Sequence, residues 1–227
     1  MLRINTPEIL DSPDCPADEV ARSLRDMNFV NRWFGGASTS LALVERAVAK
    51  TNQKKISLLE VAAGFSDVPS FIAQKLSQQG IETHFTLLDV ARTHLLPNGR
   101  AVVANALALP FRDGAFDLIS CNLFAHHLEP DELQQFIREA VRVSRCAVLI
   151  NDLVRHPVHL VMGYAAYPLL RSPASRHDGV ASVRRSYVPE EMQQMILSAF
   201  SQRSAPQAEI FRHYLFRMGV IIWKQAT

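Results

Sequence analysis

The sequence predicts an α/β fold with a mostly parallel sheet, and three observations support this prediction. Short apolar runs alternate with helical patterns between about residues 56 and 152, as in consecutive βαβ units. The first fifty residues have mainly helical periodicity. The chain closes with two β-like runs, at about 209–214 and 218–224, which are near enough in sequence to form a hairpin.

Composition narrows the class of protein. The 227 residues are 48% hydrophobic, which is enough for one sizeable core with a small cap. A net charge of +2 gives no strongly basic surface, so we expect no nucleic-acid partner. Three cysteines without a CxxC pair exclude a disulfide scaffold and a thiolate zinc site. Because neither a secretory signal nor a membrane-spanning run is visible, we expect a cytoplasmic protein, monomeric or homodimeric.

Residues 1–50 are predicted to form an arm and two helices that cap the site. Residues 1–17 are polar and rich in proline and aspartate, so we expect a loose arm. From Asp18 to Phe34, apolar residues recur at steps of three and four, and Gly35-Gly36 ends this helix. A second helical pattern covers about 39–50.

Residues 51–227 are predicted to form the sheet domain. We expect strands at 56–61, 84–89, 100–104, 116–121 and 146–151, with helices at 67–79 and 130–143. After residue 152 the alternation of strand and helix patterns ends. We expect an apolar helix at 156–170, a long polar loop, and a helix from Pro189. The segment 152–188 is predicted to be an inserted substrate lid.

The turn after the first strand has the composition of a ligand-binding corner. In open α/β sheets, ligands bind beyond the carboxyl ends of the strands. The stretch LLEVAAGFSDVP places small residues there, which lets the backbone approach a ligand closely. It lacks GxGxxG, and Asp67 puts a carboxylate where the pyrophosphate of NAD or FAD would bind. A ligand with a cationic or neutral polar group is therefore favoured, and an NAD-dependent oxidoreductase is the least favoured interpretation.

These residues resemble motif I of class I S-adenosylmethionine (SAM) methyltransferases, especially the ubiquinone/menaquinone biosynthesis type. Glu60 matches the acidic residue of the motif, while Ala62, Gly64 and Ser66 match its three glycine positions. TLLDV resembles the second strand, whose final acid, here Asp89, binds the ribose hydroxyls in the family. ANALALPFRDGAFDLISCNLFAHHL resembles the family pattern that begins xDAxxLPF and ends HHL.

The resemblance covers roughly residues 56–152 and implies a Rossmann-like seven-stranded sheet with an antiparallel last strand, helices on both faces, a helical cap, and SAM as cofactor. The implied cofactor contacts are Glu60, Ala62, Gly64, Ser66, Asp67, Asp89, Asn105, Ala106 and Asn122. Asn105 stands where the family commonly has an acid that meets the adenine amino group, and an amide oxygen can accept the same hydrogen bond. Glu60 and Asp67 could instead cap the adjoining turn and helix.

Methyl transfer requires alignment of the acceptor and, for many acceptors, removal of a proton. We therefore expect catalytic candidates near the carboxyl ends of the fourth and fifth strands and in the lid, namely His126, Asp152 and His177. The substrate-binding candidates are Asn28, Arg32, Asn151, His156, Arg176, Asp178 and Arg184. Local ion pairs on a surface loop are the alternative for the lid residues, and a structural role is the alternative for His126.

The sequence thus predicts SAM-dependent methyl transfer to a small phenolic, quinone-like or polyketide-derived molecule, at oxygen or carbon. The histidines lack the spacing of HExxH-type metal sites, so we expect metal-independent transfer. One open alternative is a non-catalytic SAM-binding or scaffold protein with a degenerate motif I. Another is a nucleic-acid or protein methyltransferase, although no NPPY-type motif follows the fourth strand.

Overall fold

The computed structural model shows one sheet of seven strands with helices on both faces, and describes residues 1–12, 14–64, 67–92, 95, 100–201 and 205–225. The strands are β1 (Lys55–Val61), β2 (Glu82–Asp89), β3 (Arg100–Val103), β4 (Phe116–Asn122), β5 (Ser144–Leu153), β6 (Gln207–His213) and β7 (Arg217–Trp223). Their order in the sheet is β3-β2-β1-β4-β5-β7-β6. β1 to β5 pair in parallel, whereas β7 runs antiparallel to both β5 and β6. The expected Rossmann-like fold is confirmed.

Among the described residues, seven α-helices surround this sheet. They are α1 (Ala17–Trp33), α2 (Gly36–Thr51), α3 (Asp67–Gln78), α4 (Pro130–Val143), α5 (Pro157–Ala165), α6 (Pro173–Arg185) and α7 (Pro189–Ser198). In the described part of the chain, none of them is long and apolar enough to cross a membrane.

The strand alternation of β1 divides the core between the two faces of the sheet. Leu59 and Val61 belong to the cluster that contains the apolar side of α4. Ile56 and Leu58 belong to the opposite cluster, with side chains of α2 and α3. A parallel strand that is buried on both faces carries apolar residues on both sides, rather than apolar residues on one side and polar residues on the other. β1 has apolar residues on both sides.

The long polar loop expected before Pro189 is wrong, because residues 173–185 form helix α6. Ser172 caps this helix, its hydroxyl oxygen accepting the Ser175 N–H at 3.0 Å, and Pro173 occupies the first turn. Small side chains then allow close packing on α1, where the Ser23 and Ser175 hydroxyls lie 2.8 Å apart. Sequence periodicity did not predict this helix, because its buried side consists largely of small and polar residues and not of a regular apolar stripe.

The expectation of a loose N-terminal arm is also wrong for residues 1–12. Arg3 donates to the Arg185 carbonyl at 2.7 Å, pairs with Glu129 at 3.0 Å, and lies over the Tyr187 ring. Glu8 is buried. The arm therefore lies against α6 and the end of β4, and hydrogen bonds rather than apolar residues hold it there.

Candidate active site

The turn between β1 and α3 has the backbone geometry of a ligand-binding corner. Ala62 and Gly64 have positive φ angles of 54° and 49°. The left-handed region costs an alanine roughly 1 kcal/mol, so the surrounding fold holds Ala62 there against its own preference. The Gly64 N–H donates to Asp89 Oδ2 at 3.3 Å, which ties the turn to the end of β2. Ser66 lies outside the described residues.

The candidates for adenosine binding lie at the ends of β2 and β3. Asp89 ends β2 and is buried, and its Oδ1 accepts the Ala91 N–H at 2.9 Å. Asn105 comes two residues after β3 and is exposed, with its Oδ1 accepting the Leu107 N–H at 2.9 Å. Ala106 is buried beside it. Because β2 and β3 are parallel neighbours, these residues lie along one edge of the sheet.

A buried polar network joins the ends of β1, β4 and β5 to α2. Asn122 Nδ2 donates to Glu60 Oε1 at 2.5 Å, while Asn122 Oδ1 accepts from Asn151 Nδ2 at 3.0 Å and from the Ser40 hydroxyl. Asn151 Nδ2 also donates to Ser40 Oγ at 2.7 Å. Sequence reasoning missed Ser40, because a serine within a helical pattern carries no signal of this contact.

Glu60 is the acidic centre of this network. Burial raises the pKa of Glu60 to about 7, although hydrogen bonds from Asn122 and Ser120 oppose the rise. Its Oε2 has no hydrogen-bond partner among the described residues. A buried carboxylate oxygen left in this way is costly unless a ligand donates to it.

Asp67 connects the corner to the N-terminal helices. It begins α3, is half-buried, and burial raises its pKa. With its nitrogen turned towards α3, the Asn28 amide of α1 lies 3.3 Å from both Asp67 carboxylate oxygens. The expected substrate residue Asn28 thus lies beside an expected cofactor residue, and α1 covers this end of the site.

His126 and Asp152, two of the three catalytic candidates, contact each other in the interior. His126 Nδ1 lies 2.7 Å from Asp152 Oδ1, and the His126 N–H donates to Asp152 Oδ2 at 2.9 Å. On the other side, His126 Nε2 lies 3.4 Å from Glu8 Oε1, close enough for an ion pair but without hydrogen-bond geometry. Burial alone would lower the pKa of His126, but the charges of Asp152 and Glu8 and the hydrogen bond to Asp152 outweigh it and raise this pKa to about 9. His126 is therefore cationic at neutral pH and links the arm to β5.

Glu8, His126 and His127 bring one potential metal-ligand atom each to within 4.8 Å of one another. These residues are far apart in sequence, so spacing did not reveal the group. The Arg185 guanidinium lies 3.8 Å from Glu8, and Asp11 lies 3.2 Å from His127. Protein cations already balance the carboxylates here, and metal-independent transfer stays a prediction.

The third catalytic candidate, His177, lies on the outer surface of α6. It is exposed, and its Nδ1 is 2.8 Å from Asp178 Oδ1. The Asp178 carboxylate accepts the N–H groups of Ile9 and Leu10 at 2.7 and 3.1 Å. Asp178 therefore anchors the arm, and the structure brings neither residue to the cofactor corner.

The basic candidates Arg176 and Arg184 contact neighbouring groups within the segment 152–188, whose role as a lid stays a prediction. Arg176 donates to the Leu170 carbonyl at 2.8 Å, and Arg184 donates to the Tyr164 hydroxyl at 3.2 Å. Because these contacts are local, the role of both residues in substrate binding stays a prediction.

Arg32 and His156 are both exposed. The Arg32 guanidinium lies 5.9 Å from the Trp33 ring centroid. The His156 side chain caps α5 by accepting the Val158 N–H at 3.1 Å, and its ring stacks on Phe216 at 4.7 Å. His156 thus borders the turn between β6 and β7, where no sequence pattern predicts a site.

An apolar cavity of about 150 Å³ lies between α1, α5, α6 and the β6–β7 turn. Its lining includes Phe29 of α1, Phe34 directly after α1, Leu153 at the end of β5, and Arg217 at the start of β7. Leu153 and Asn151 are two residues apart on β5, so their side chains share one face of the strand. The cavity is therefore next to the Glu60–Asn122–Asn151 network, at the carboxyl edge of the sheet.

His159, which also lines the cavity, is a functional candidate that sequence reasoning missed. Its Nδ1 lies 2.9 Å from the Val154 carbonyl, so the hydrogen is on Nδ1 and Nε2 is left as an acceptor. Burial lowers the pKa of His159, and the charge of Arg217 acts in the same direction. A neutral imidazole can take a proton on its second nitrogen, and His159 Nε2 has no hydrogen-bond partner in the described part of the chain. Only the fold distinguishes it from the other histidines.

The comparisons with known proteins agree with this geometry. Residues 59–147 match the family model described as a methyltransferase domain. The plantazolicin methyltransferase BpumL in complex with SAH superposes with a TM-score of 0.68 at 12% identity, over 91% of this chain and 96% of that chain. Its complex with a triazolic desmethylPZN analog and SAH gives 0.70 at 13% identity, over 96% and 93%. A SAM-dependent methyltransferase from Aquifex aeolicus gives 0.58 at 14% identity, over 92% and 100%. No curated protein sequence matches the chain.

At these identities the solved structures support the fold alone. The match of residues 59–147 to the methyltransferase domain supports methyl transfer as the reaction. The matched segment begins in β1, includes the Glu60–Gly64 corner and Asp89, and ends in β5. The chain is a SAM-dependent methyltransferase, with S-adenosylmethionine as its cofactor.

Proposed function

We propose that this methyltransferase acts on a small, largely apolar molecule of phenolic, quinone-like or polyketide-derived type, at oxygen or carbon. The observation that carries the proposal is the 150 Å³ apolar cavity beside the network of Glu60, Asn122 and Asn151. A cavity of this volume and lining accommodates about one aromatic ring. The quinone-like class also draws on the resemblance of residues 56–152 to the ubiquinone/menaquinone type.

The buried Glu60 Oε2 fits the ammonium group of SAM, because it has no hydrogen-bond partner among the described residues and lies near the end of β1. Asp89 would accept hydrogen bonds from the ribose hydroxyls, and Asn105 and Ala106 would border the adenine. The positive φ angles of Ala62 and Gly64 would bring the backbone close to the ligand. When bound, SAM supplies an electrophilic methyl group on a sulfonium.

On the acceptor side, the lining would orient the ring while α1 and the lid exclude water. His159 is our candidate for the proton acceptor, because it is neutral and faces the cavity. A buried cation between two carboxylates cannot take a further proton, so His126 would not be the base. It would instead hold the N-terminal arm against β5 through Glu8 and Asp152. We assign Asp152 to holding His126, and no catalytic step to the exposed His177.

The first test is calorimetric titration of the protein with SAM and with SAH, its demethylated product. We expect saturable binding of both. A panel of phenols and quinones is then assayed with methyl-labelled SAM, and we expect transfer to some of them. If neither SAM nor SAH binds, the transferase function fails. If both bind but methyl groups reach only RNA or protein, the small-molecule assignment fails.

A paired substitution tests the acceptor side. His159→Gln should lower kcat by about a hundredfold for a phenolic acceptor, the lower end of the usual range for a lost general base. SAM binding should remain. His84→Gln, on the exposed part of β2, is the matched control and should leave the rate unchanged. Equal rates in both variants would remove His159 from the proton-transfer role.

A further inference from the structure

Strand β7 begins with a cation buried in apolar surroundings. Arg217 is 2% exposed and lines the cavity. Its Nη1 has no hydrogen-bond partner among the described residues, and no described carboxylate lies within ion-pair distance of it. Removing a cation from water is unfavourable unless an anion compensates. The described residues supply no such partner within ion-pair distance of Arg217.

The Asp152 carboxylate, whose charge acts on Arg217, is already hydrogen-bonded to other groups. Asp152 accepts from the His126 ring and backbone N–H, and its Oδ1 also accepts the Leu153 N–H at 2.7 Å. Burial lowers the pKa of Arg217 to about 10, with the Asp152 charge opposing the fall. Arg217 therefore stays cationic at neutral pH and faces the cavity, and none of the described carboxylates forms an ion pair with it.

The other groups that line the cavity are apolar, except for the neutral His159. They come from α1, the end of β5, α5, the 3-10 turn after it, α6 and the β6–β7 turn. Apolar walls cannot compensate a guanidinium, but they strengthen its attraction for an anion because the local dielectric is low. The arrangement selects a ligand that is apolar over most of its surface and anionic at one end.

The turn that leads into Arg217 is strained in a way that serves this arrangement. Leu215 and Phe216 have φ angles of 55° and 58°, in the left-handed region that bulky side chains rarely adopt. Leu215 lines the cavity, while the Phe216 ring stacks between His156 at 4.7 Å and His159 at 5.3 Å. These contacts hold the turn and fix the direction of Arg217. Strain of this kind is typical of binding sites.

We propose that the methyl acceptor carries a carboxylate, which pairs with Arg217 while its ring or short apolar body fills the cavity. This inference rests on the proposed function, because it names the acceptor class of the same site. A planar carboxylate matches the two parallel N–H donors of a guanidinium, and such pairs are stronger than neutral hydrogen bonds. The pair would hold the acceptor at one end, with its reacting atom towards Asn122 and Asn151.

The test uses two probes of one shape, benzoate and benzamide, which differ in charge. Each is titrated into the protein in the presence of saturating SAH, and binding is followed by ligand-observed NMR. We expect benzoate to bind at least tenfold more tightly than benzamide. Equal binding, or tighter binding of benzamide, would overturn the proposal.

Two variants locate the charge. Arg217→Met keeps the length and apolar stem of the side chain, so it should abolish the preference for benzoate while benzamide binding persists. Arg212→Met removes an exposed arginine from the same hairpin and should leave the preference intact. Loss of the preference in Arg212→Met, or its survival in Arg217→Met, would contradict the assignment. If Arg217→Met does not fold, Arg217→Lys is used, and it should weaken benzoate binding without eliminating the preference.

The outcomes also separate this inference from the proposed function. The same titrations without SAH test the cavity independently of the cofactor. If SAM and SAH bind but benzoate shows no preference, the acceptor class is wrong and the methyltransferase assignment stands. If benzoate is preferred but neither SAM nor SAH binds, the cavity is an anion site and the proposed transferase function fails.

Discussion

Alkaline pH should destabilise the protein through the buried contact of His126 with Asp152 and Glu8. The raised pKa of His126 means that the folded chain binds its proton more tightly than the unfolded chain does. The resulting stabilisation is complete below pH 6.5, the ordinary value, and is lost as the pH rises through about 9. At about 1.4 kcal/mol per pH unit, this interval corresponds to a loss of about 3 kcal/mol.

The assay is urea denaturation at intervals between pH 6 and 10, with wild type compared to Glu8→Gln. The substitution leaves His126 with one carboxylate neighbour, so the variant should be less stable at pH 7 and should lose less stability up to pH 9.5. Asp131→Asn, at an exposed carboxylate of α4, is the matched control and should follow the wild-type slope. Groups that titrate equally in all three proteins cancel in the comparison.

The buried Glu60 titrates in a different window and does not obscure this result. Burial raises its pKa from 4.5 to about 7, so its ionisation lowers the folding stability as the pH rises from about 4.5 to 7. The loss due to His126 occurs above that range. Parallel curves for wild type and Glu8→Gln between pH 7 and 9.5 would refute the charge-paired assignment of His126.

Three further predictions follow from the cofactor corner and the core. Asp89→Ala should weaken SAM binding about tenfold without unfolding the protein, as measured by calorimetry, and unchanged affinity would remove Asp89 from the ribose role. Ala62→Gly relieves a positive φ of 54° and should raise the free energy of unfolding by about 0.5–1 kcal/mol in urea, whereas a loss would show that Ala62 is not strained. Gly219→Ala would place Cβ 2.9 Å from Leu43 Cδ2 and 3.1 Å from the His213 ring, so it should cost about 1–3 kcal/mol, and an unchanged thermal midpoint would contradict this packing.

Local periodicity predicted most of the sheet domain. The strand run before Glu60, the strand that ends at Asp89, and the closing hairpin are all present. In these segments burial demands apolar residues at fixed intervals, so the sequence itself shows the pattern. The prediction failed for α6 and for the arm, whose buried sides are polar or small and whose partners are remote in sequence.

Some residues of the candidate site were predicted from sequence motifs, and others were identified only from the structure. Motif spacing brought out Glu60, Gly64 and Asp89, because a tight turn and strand ends impose local constraints on residue type. The lid histidine chosen from sequence, His177, lies on the outer surface, whereas His159 faces the cavity. The two histidines lie on different helices, α5 and α6, and the packing of these helices decides which of them faces inward.

The sequence by itself determined that this chain forms an α/β sheet with a small-residue corner and acidic strand ends suited to SAM. The tertiary structure decided that His126 is a charge-paired link to the arm and that α1 and α6 close over an apolar cavity. It also decided that Arg217 faces this cavity with no ion-pair partner among the described residues. The physical reason is that turn geometry and strand burial act over a few residues. Charge pairing and cavity shape depend on groups such as Glu8, Asp152 and Arg217, which only folding brings together.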